Sequence, residues 1–260
     1  MIRHRLPSIV AILGVVAFLV LWLLRPTFSQ DATEQRLWES VLYRLVGCVV
    51  FLALLIDRGY ALWQRPHLKY LAVLLPCLVI AVNNLPILAM LWGDASVTKG
   101  ELLWLFSLDC LLVGAFEELA FRGTLQTVLL EKRKGGRPPI FWTVVLCSAL
   151  FGAFHLINLL EGAGITGTLL QVGYSFLIGG MCSIVLLKTG NLIWCILLHA
   201  IYNFCGGLIP TLGEGKLWDT PTVVITVILS LIVGGYMIWV LLGVSEEEAA
   251  SLLAQKKKKE

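Results

Sequence analysis

Charge is scarce in this chain. Asp, Glu, Lys and Arg make up 14% of its 260 residues, against roughly 25% in soluble domains, and that excludes a water-soluble globular fold. Apolar residues reach 58% and the mean hydropathy is +0.86. Runs of about twenty apolar residues identify an all-α, polytopic membrane protein, and the length they consume leaves no room for a second soluble domain. The chain has no CxxC pair and no HExxH. Its cysteines (Cys48, Cys77, Cys110, Cys147, Cys182, Cys195, Cys205) all lie in or beside apolar runs and read as small buried side chains, not as a disulfide framework. Internal repeats are missing too, as are matched Gly/Pro-broken segments in the two halves, which weighs against an inverted-repeat transporter.

Hydropathy divides the chain into a bundle of about eight spans. The first, Ile9 to Leu24, follows Arg3 and Arg5 and has no small-residue cleavage site after it, so it is expected to remain as an uncleaved span. The second runs from Leu37 or Val41 to Ile56, the third from Leu68 to Trp92 with Asn83 and Asn84 inside it, and the fourth from Leu102 to Leu130. Pro138 and Pro139 open the fifth, which ends near Leu160; the sixth is Ile165 to Leu187. The seventh runs from Asn191 to Ile209, with Pro210 expected to stop it, and the eighth, Thr222 to Leu242, is introduced by Asp219, Thr220 and Pro221. Three N-terminal spans (1–100), a four-span core (101–210), and a last span with a charged tail (211–260) follow as the organisation.

Basic residues cluster in MIRHR, DRGYALWQRPHLK and EKRKGGRPP, at Lys188 and in the terminal KKKK. With eight spans these fall on one side, so both termini are expected in the cytoplasm of a multi-pass protein, most simply of the cell (inner) membrane. The clusters are topogenic or headgroup-facing, and nucleic acid is not an expected partner.

Against this apolar background a few ionisable residues stand out. Glu117 and Glu118 are adjacent in LLVGAFEELAFRGTLQTVLL, and Arg122 follows. Charged groups in hydrocarbon cost from a few to more than ten kcal/mol each, so they mark function by default. Glu118 and Arg122 are four apart on one helix face, whereas Glu117 points about 100° away. Arg122 lies about 13 Å from the helix end at Glu131, too deep to snorkel, and Glu118 is its natural partner. Glu117 is then free to act as a general base toward water.

Two of the four histidines, His155 and His199, also fall in apolar runs. Phe151 precedes His155 by four residues, and Gly152 and Ala153 beside it permit close helix approach. Asn203 follows His199 by four, so the two stack on one face and can present donors to an oxyanion. Trp104, Phe106, Phe116, Phe121 and Phe151 read as core packing or lipid contact before they read as a groove lining.

These segments, EELAFRG, FGAFH and HAIYN, resemble the EExxxR, FxxxH and HxxxN signatures of the CPBP family (CAAX protease and bacteriocin-processing, or Abi) of intramembrane endopeptidases. The resemblance covers roughly Trp104 to Pro210. It implies an eight-helix membrane protease in which Glu117 and His155 activate water. His199 and Asn203 would stabilise the oxyanion, and Glu118, Arg122 and Phe151 would support the site. The implied partners are a protein or peptide substrate, lipidated or membrane-associated, and the bilayer itself.

No cofactor is expected, since a glutamic-type site needs none. A His₂Glu zinc site built from Glu117, His155 and His199 is the metal alternative. A non-catalytic immunity or scaffold protein and a transporter with an intramembrane proton relay are the alternative functions.

Overall fold

The computed structural model describes residues 6–66, 68–133, 136–160, 162–215 and 220–253. The basic clusters at 1–5 and 256–259 and the helix-start residue Asp219 lie outside them.

The chain is an all-α bundle. Its elements are α1 (Leu6–Leu24), α2 (Ala32–Arg58), the short helices α3 (Leu68–Leu71), α4 (Leu74–Asn83) and α5 (Ile87–Leu91), strand β1 (Ala95–Val97), α6 (Leu103–Glu118), a π-helical stretch (Leu119–Gln126) and α7 (Thr127–Lys132). Then come α8 (Arg137–Phe154), a 3₁₀ turn (His155–Leu159), α9 (Ile165–Thr189), α10 (Leu192–Leu212), strand β2 (Gly213–Gly215), α11 (Thr220–Leu242) and α12 (Glu246–Leu253). Among the described residues, five helices are long and apolar enough to cross a membrane: Ala32–Arg58, Arg137–Leu159, Ile165–Thr189, Leu192–Leu212 and Thr220–Leu242. Ile9–Leu24 and Leu74–Asn83 are shorter apolar helices.

Two span expectations need correcting. The third run is not one helix but three pieces, because prolines break it. Pro76 and Pro86 lack an N–H, and each ring crowds the carbonyl four residues earlier, at Ala72 and Val82; α3 ends at Leu71 and α4 at Asn83, each beside one of those positions. Pro210, in contrast, does not stop the seventh run, since α10 continues to Leu212 with the proline inside it. There the backbone ends of α10 are otherwise satisfied: Leu212 O accepts from Thr98 N at 2.8 Å and Lys99 N at 2.9 Å. Strands β1 and β2 pair antiparallel beside that helix end.

Glycines set the close approaches. A Cβ on Gly114 of α6 would lie 3.0 Å from Ile196 O on α10, and one on Gly152 of α8 would lie 2.7 Å from Val172 O on α9. The expected role of Gly152 in helix approach is met, but Ala153 beside it is exposed and takes no part, because it sits one residue round the helix from the contact.

Polar clasps close both ends. At one end Asp31 caps α2 through Thr33 N and Glu34 N, both at 2.9 Å, and holds Lys99 at 2.6 Å. At the other, α12 lies across three connections: Glu246 grips Arg133 with bonds of 3.1 and 2.8 Å, Glu248 meets Lys188 at 2.9 Å, and Leu252 O accepts from Ala61 N at 3.1 Å. The Arg133 guanidinium, bonded to Glu246, holds that carboxyl below its ordinary value of 4.5.

Gly152→Val should lower stability by about 1–3 kcal/mol through overpacking of α8 on α9, read as an earlier thermal midpoint in detergent. Gly167→Ala, with open space around its Cβ, should not. A depressed carboxyl contributes stability that is present above its unfolded value and lost as pH falls through its folded value. The α12 clasp should therefore loosen as pH drops below about 4.5, the ordinary glutamate value, seen as faster amide exchange across 246–253 while α9 stays protected.

Candidate active site

The site grows from one buried carboxylate. Glu118 ends α6 and Arg122 lies in the π-helical stretch that follows; both are fully buried, and Arg122 Nη1 donates to Glu118 Oε1 at 3.0 Å. The same oxygen takes a second bond, from His199 Nδ1 of α10 at 2.7 Å. Because a carboxylate only accepts, His199 carries a proton on Nδ1 and turns Nε2 outward. There Nε2 faces Glu117 Oε2 at 3.5 Å. One imidazole thus spans both glutamates, Glu118 from behind and Glu117 from the front.

Phe151 of α8 is the other hub. The Arg122 guanidinium sits over its ring, 4.3 Å from the centroid, a cation–π contact in a dry setting where such contacts are strongest. His155 and His199 both meet this ring edge-on, at 5.2 Å and 5.7 Å between centroids. Gly179 of α9 clears the space: a Cβ there would lie 2.8 Å from Arg122 Nη2 and 3.1 Å from Phe151 Cδ1. Four helical elements therefore converge on one aromatic side chain that is 1% exposed.

His155 opens the 3₁₀ turn after α8, and its Nδ1 lies 3.0 Å from Phe151 O. A carbonyl cannot donate, so Nδ1 carries the proton and Nε2 is left with its lone pair. No ion pair or hydrogen bond joins Glu117 to His155 among the described residues; the imidazole in contact with Glu117 is that of His199. Asn203, one turn on from His199, is half-buried, and its amide has no hydrogen-bond partner among the described residues. No three His, Cys, Asp or Glu side chains among the described residues stand together as a metal-ligand group. His199 Nδ1 is committed to Glu118, which leaves Nε2 as its outward-facing nitrogen.

A second polar group escaped the sequence reading. Ser40 Oγ donates to Asp109 on α6, and Arg44 follows Ser40 by one turn along α2. The signal that marked Glu117, an ionisable residue in an apolar run, was present at Arg44 and Asp109 as well. The Glu118–His199 contact had no such signal, since it joins residues 81 apart in sequence.

Fold and site together define an integral membrane protein with an acid–imidazole cluster between its helices. Residues 99–205 match the model of the family described as type II CAAX prenyl endopeptidase Rce1-like. The match spans every motif residue from Glu117 to Asn203 and bears out the resemblance to CPBP intramembrane proteases. It supports a CAAX-type endopeptidase acting on a protein or peptide at the membrane. No curated protein and no solved structure matches the chain.

Arg122→Ala leaves the Glu118 charge buried beside a lone imidazole and should cost about 3–5 kcal/mol, measured by thermal unfolding in detergent. Combining it with Glu118→Gln should cost less than the two single changes together, by at least about 1 kcal/mol, as contacting residues do in a double-mutant cycle.

Proposed function

We propose that this chain is a glutamic-type intramembrane endopeptidase that cleaves the tail of a membrane-associated or lipidated protein, with Glu117 and His155 activating water. The observation that carries the reading is the bridging imidazole. His199 touches Glu118 at 2.7 Å and Glu117 at 3.5 Å, and His155 packs on the same phenylalanine. An acid and two imidazoles are thereby gathered in an apolar bundle, with Asn203 one helical turn from His199.

Glu117 and the free Nε2 of His155 accept hydrogen bonds from the attacking water. As the water oxygen bonds to the scissile carbonyl carbon, Glu117 takes its proton, and the carbonyl oxygen becomes an oxyanion. Asn203 and His199 stabilise that oxygen; preorganised donors of this kind are worth about 3–4 kcal/mol each. The C–N bond then breaks, and Glu117 returns the proton to the leaving nitrogen. Glu118 and Arg122 take no part in bond making. They hold His199 in the tautomer and orientation the step needs. No metal is required, and both chain ends lie in the cytoplasm on this reading.

Membrane proteomes of cells expressing the wild type or Glu117→Ala test it. New protein termini should appear only with the wild type. Glu117→Ala and His155→Ala should each lower turnover by about 10²–10⁴-fold or more while the protein still accumulates in the membrane. Near-normal turnover in either variant defeats the assignment, and stoichiometric zinc lost together with activity defeats its metal-free form.

A further inference from the structure

Two tyrosines that are not among the motifs' defining residues stand at the same level as the catalytic cluster. Helices α9 and α10 are locked antiparallel by Cys195 Sγ on Cys182 O at 3.2 Å and Cys182 Sγ on Cys195 O at 3.9 Å. Tyr174 lies eight residues before Cys182 and Tyr202 seven after Cys195, so an antiparallel pair with equal rise carries them to one height. Their rings meet there, with centroids 6.1 Å apart and planes at 43°. Tyr202 adjoins Asn203 and follows His199 by three residues, on the site's own helix.

Both phenol hydroxyls lack a hydrogen-bond partner among the described residues. That is unusual at membrane depth, where a Tyr O–H normally finds one. Tyr202 is held rigidly: its carbonyl accepts from Asn84 Nδ2 at 3.3 Å, and a Cβ on Gly206 one turn on would strike that same amide at 2.3 Å. Tyr174 is freer, being 42% exposed. One tyrosine is fixed, and the other stands at the open edge.

An acyl chain has no use for two open hydroxyls. A peptide does, because each main-chain N–H and C=O carried into hydrocarbon costs several kcal/mol unless it is bonded. An extended substrate reaching Glu117 cannot bond itself as a helix would. We propose that Tyr174 and Tyr202 form the binding wall for the main chain of the substrate peptide, which enters between α9 and α10 and lies along the two phenols beside Glu117. This rests on the endopeptidase reading and supplies the positioning residues that reading lacks.

The test uses full-length protein in proteoliposomes, with an internally quenched farnesylated CAAX peptide as probe. Tyr174→Phe and Tyr202→Phe keep the rings and remove only the hydroxyls. Each should raise KM by roughly threefold to tenfold, the value of one lost hydrogen bond, with a smaller change in kcat. In a Glu117→Gln background, where turnover should vanish, the probe should still bind saturably by fluorescence anisotropy, and adding Tyr174→Phe should weaken that binding by the same factor. Unchanged KM in both Phe variants overturns the tyrosine wall and leaves the protease standing. Full turnover in Glu117→Gln overturns the protease reading. Absence of saturable binding in that background overturns the wall for this peptide class, whatever the turnover of the wild type.

Discussion

The structure depends on satisfying one carboxylate in a place where water does not reach. Glu118 is fully buried, and an ionised carboxylate there is tolerable only with charge and donors brought to it. Its partners come from two directions: Arg122 from the next turn of its own helix, His199 from α10. Neither partner alone suffices. An Arg–Glu pair in isolation would gain little over an apolar pair of the same volume, and a lone imidazole would leave Arg122 with its own desolvation unrelieved. The three together, with Phe151 under the guanidinium, make a unit whose removal piece by piece is costlier than its removal whole. That is the signature of a cluster kept for its geometry.

The irregular backbone follows from this constraint. A uniform α-helix would carry Glu117, Glu118 and Arg122 past the partner helix on a fixed spiral. The π-helical stretch from Leu119 to Gln126 widens the turn that contains Arg122, and such stretches recur at functional sites. Thr124 Oγ1 donates a further bond to Leu119 O at 3.0 Å inside that stretch. Gly114 and Gly179 then let α10 and α9 come close enough for His199 and Phe151 to reach the cluster. Backbone shape, small residues and buried charge answer the same requirement at three scales.

What could be read beforehand was whatever a single segment determines. Apolar runs located the helices, and ionisable residues inside them located Glu117, Glu118, Arg122, His155 and His199. The i, i+4 spacing correctly joined Glu118 to Arg122. The breaks at Pro76 and Pro86 were also local, and hydropathy counting hid them because proline and asparagine barely lower a 25-residue average. Pairings between helices were another matter. Spacing on α10 gives His199 a face shared with Asn203 and says nothing of Glu118, because that contact depends on how α6 and α10 rotate about each other. Glu117 was matched to His155 by resemblance, while the ring it touches belongs to His199. Pro210 misled for the same reason: its helix is finished by Thr98 and Lys99, remote residues that satisfy carbonyls a lone helix would have left open.

The two imidazoles show how one residue type is held in two different settings. Both have Nδ1 engaged and Nε2 presented, so neither can rotate its reactive nitrogen away. The difference lies in the acceptor behind the ring. A backbone carbonyl behind His155 engages Nδ1 and carries no net charge. Behind His199 stands a carboxylate, and in front of it another. The two rings are thus distinguished by environment alone, with no difference in side-chain chemistry. The sequence positions of the acceptors explain why the division is robust. His155 takes its carbonyl from its own helix, four residues back, and keeps it whenever α8 forms. His199 takes its carboxylate from α6 and meets it only when the two helices have docked. One imidazole of the cluster is thus oriented by secondary structure alone, whereas the other waits for tertiary packing.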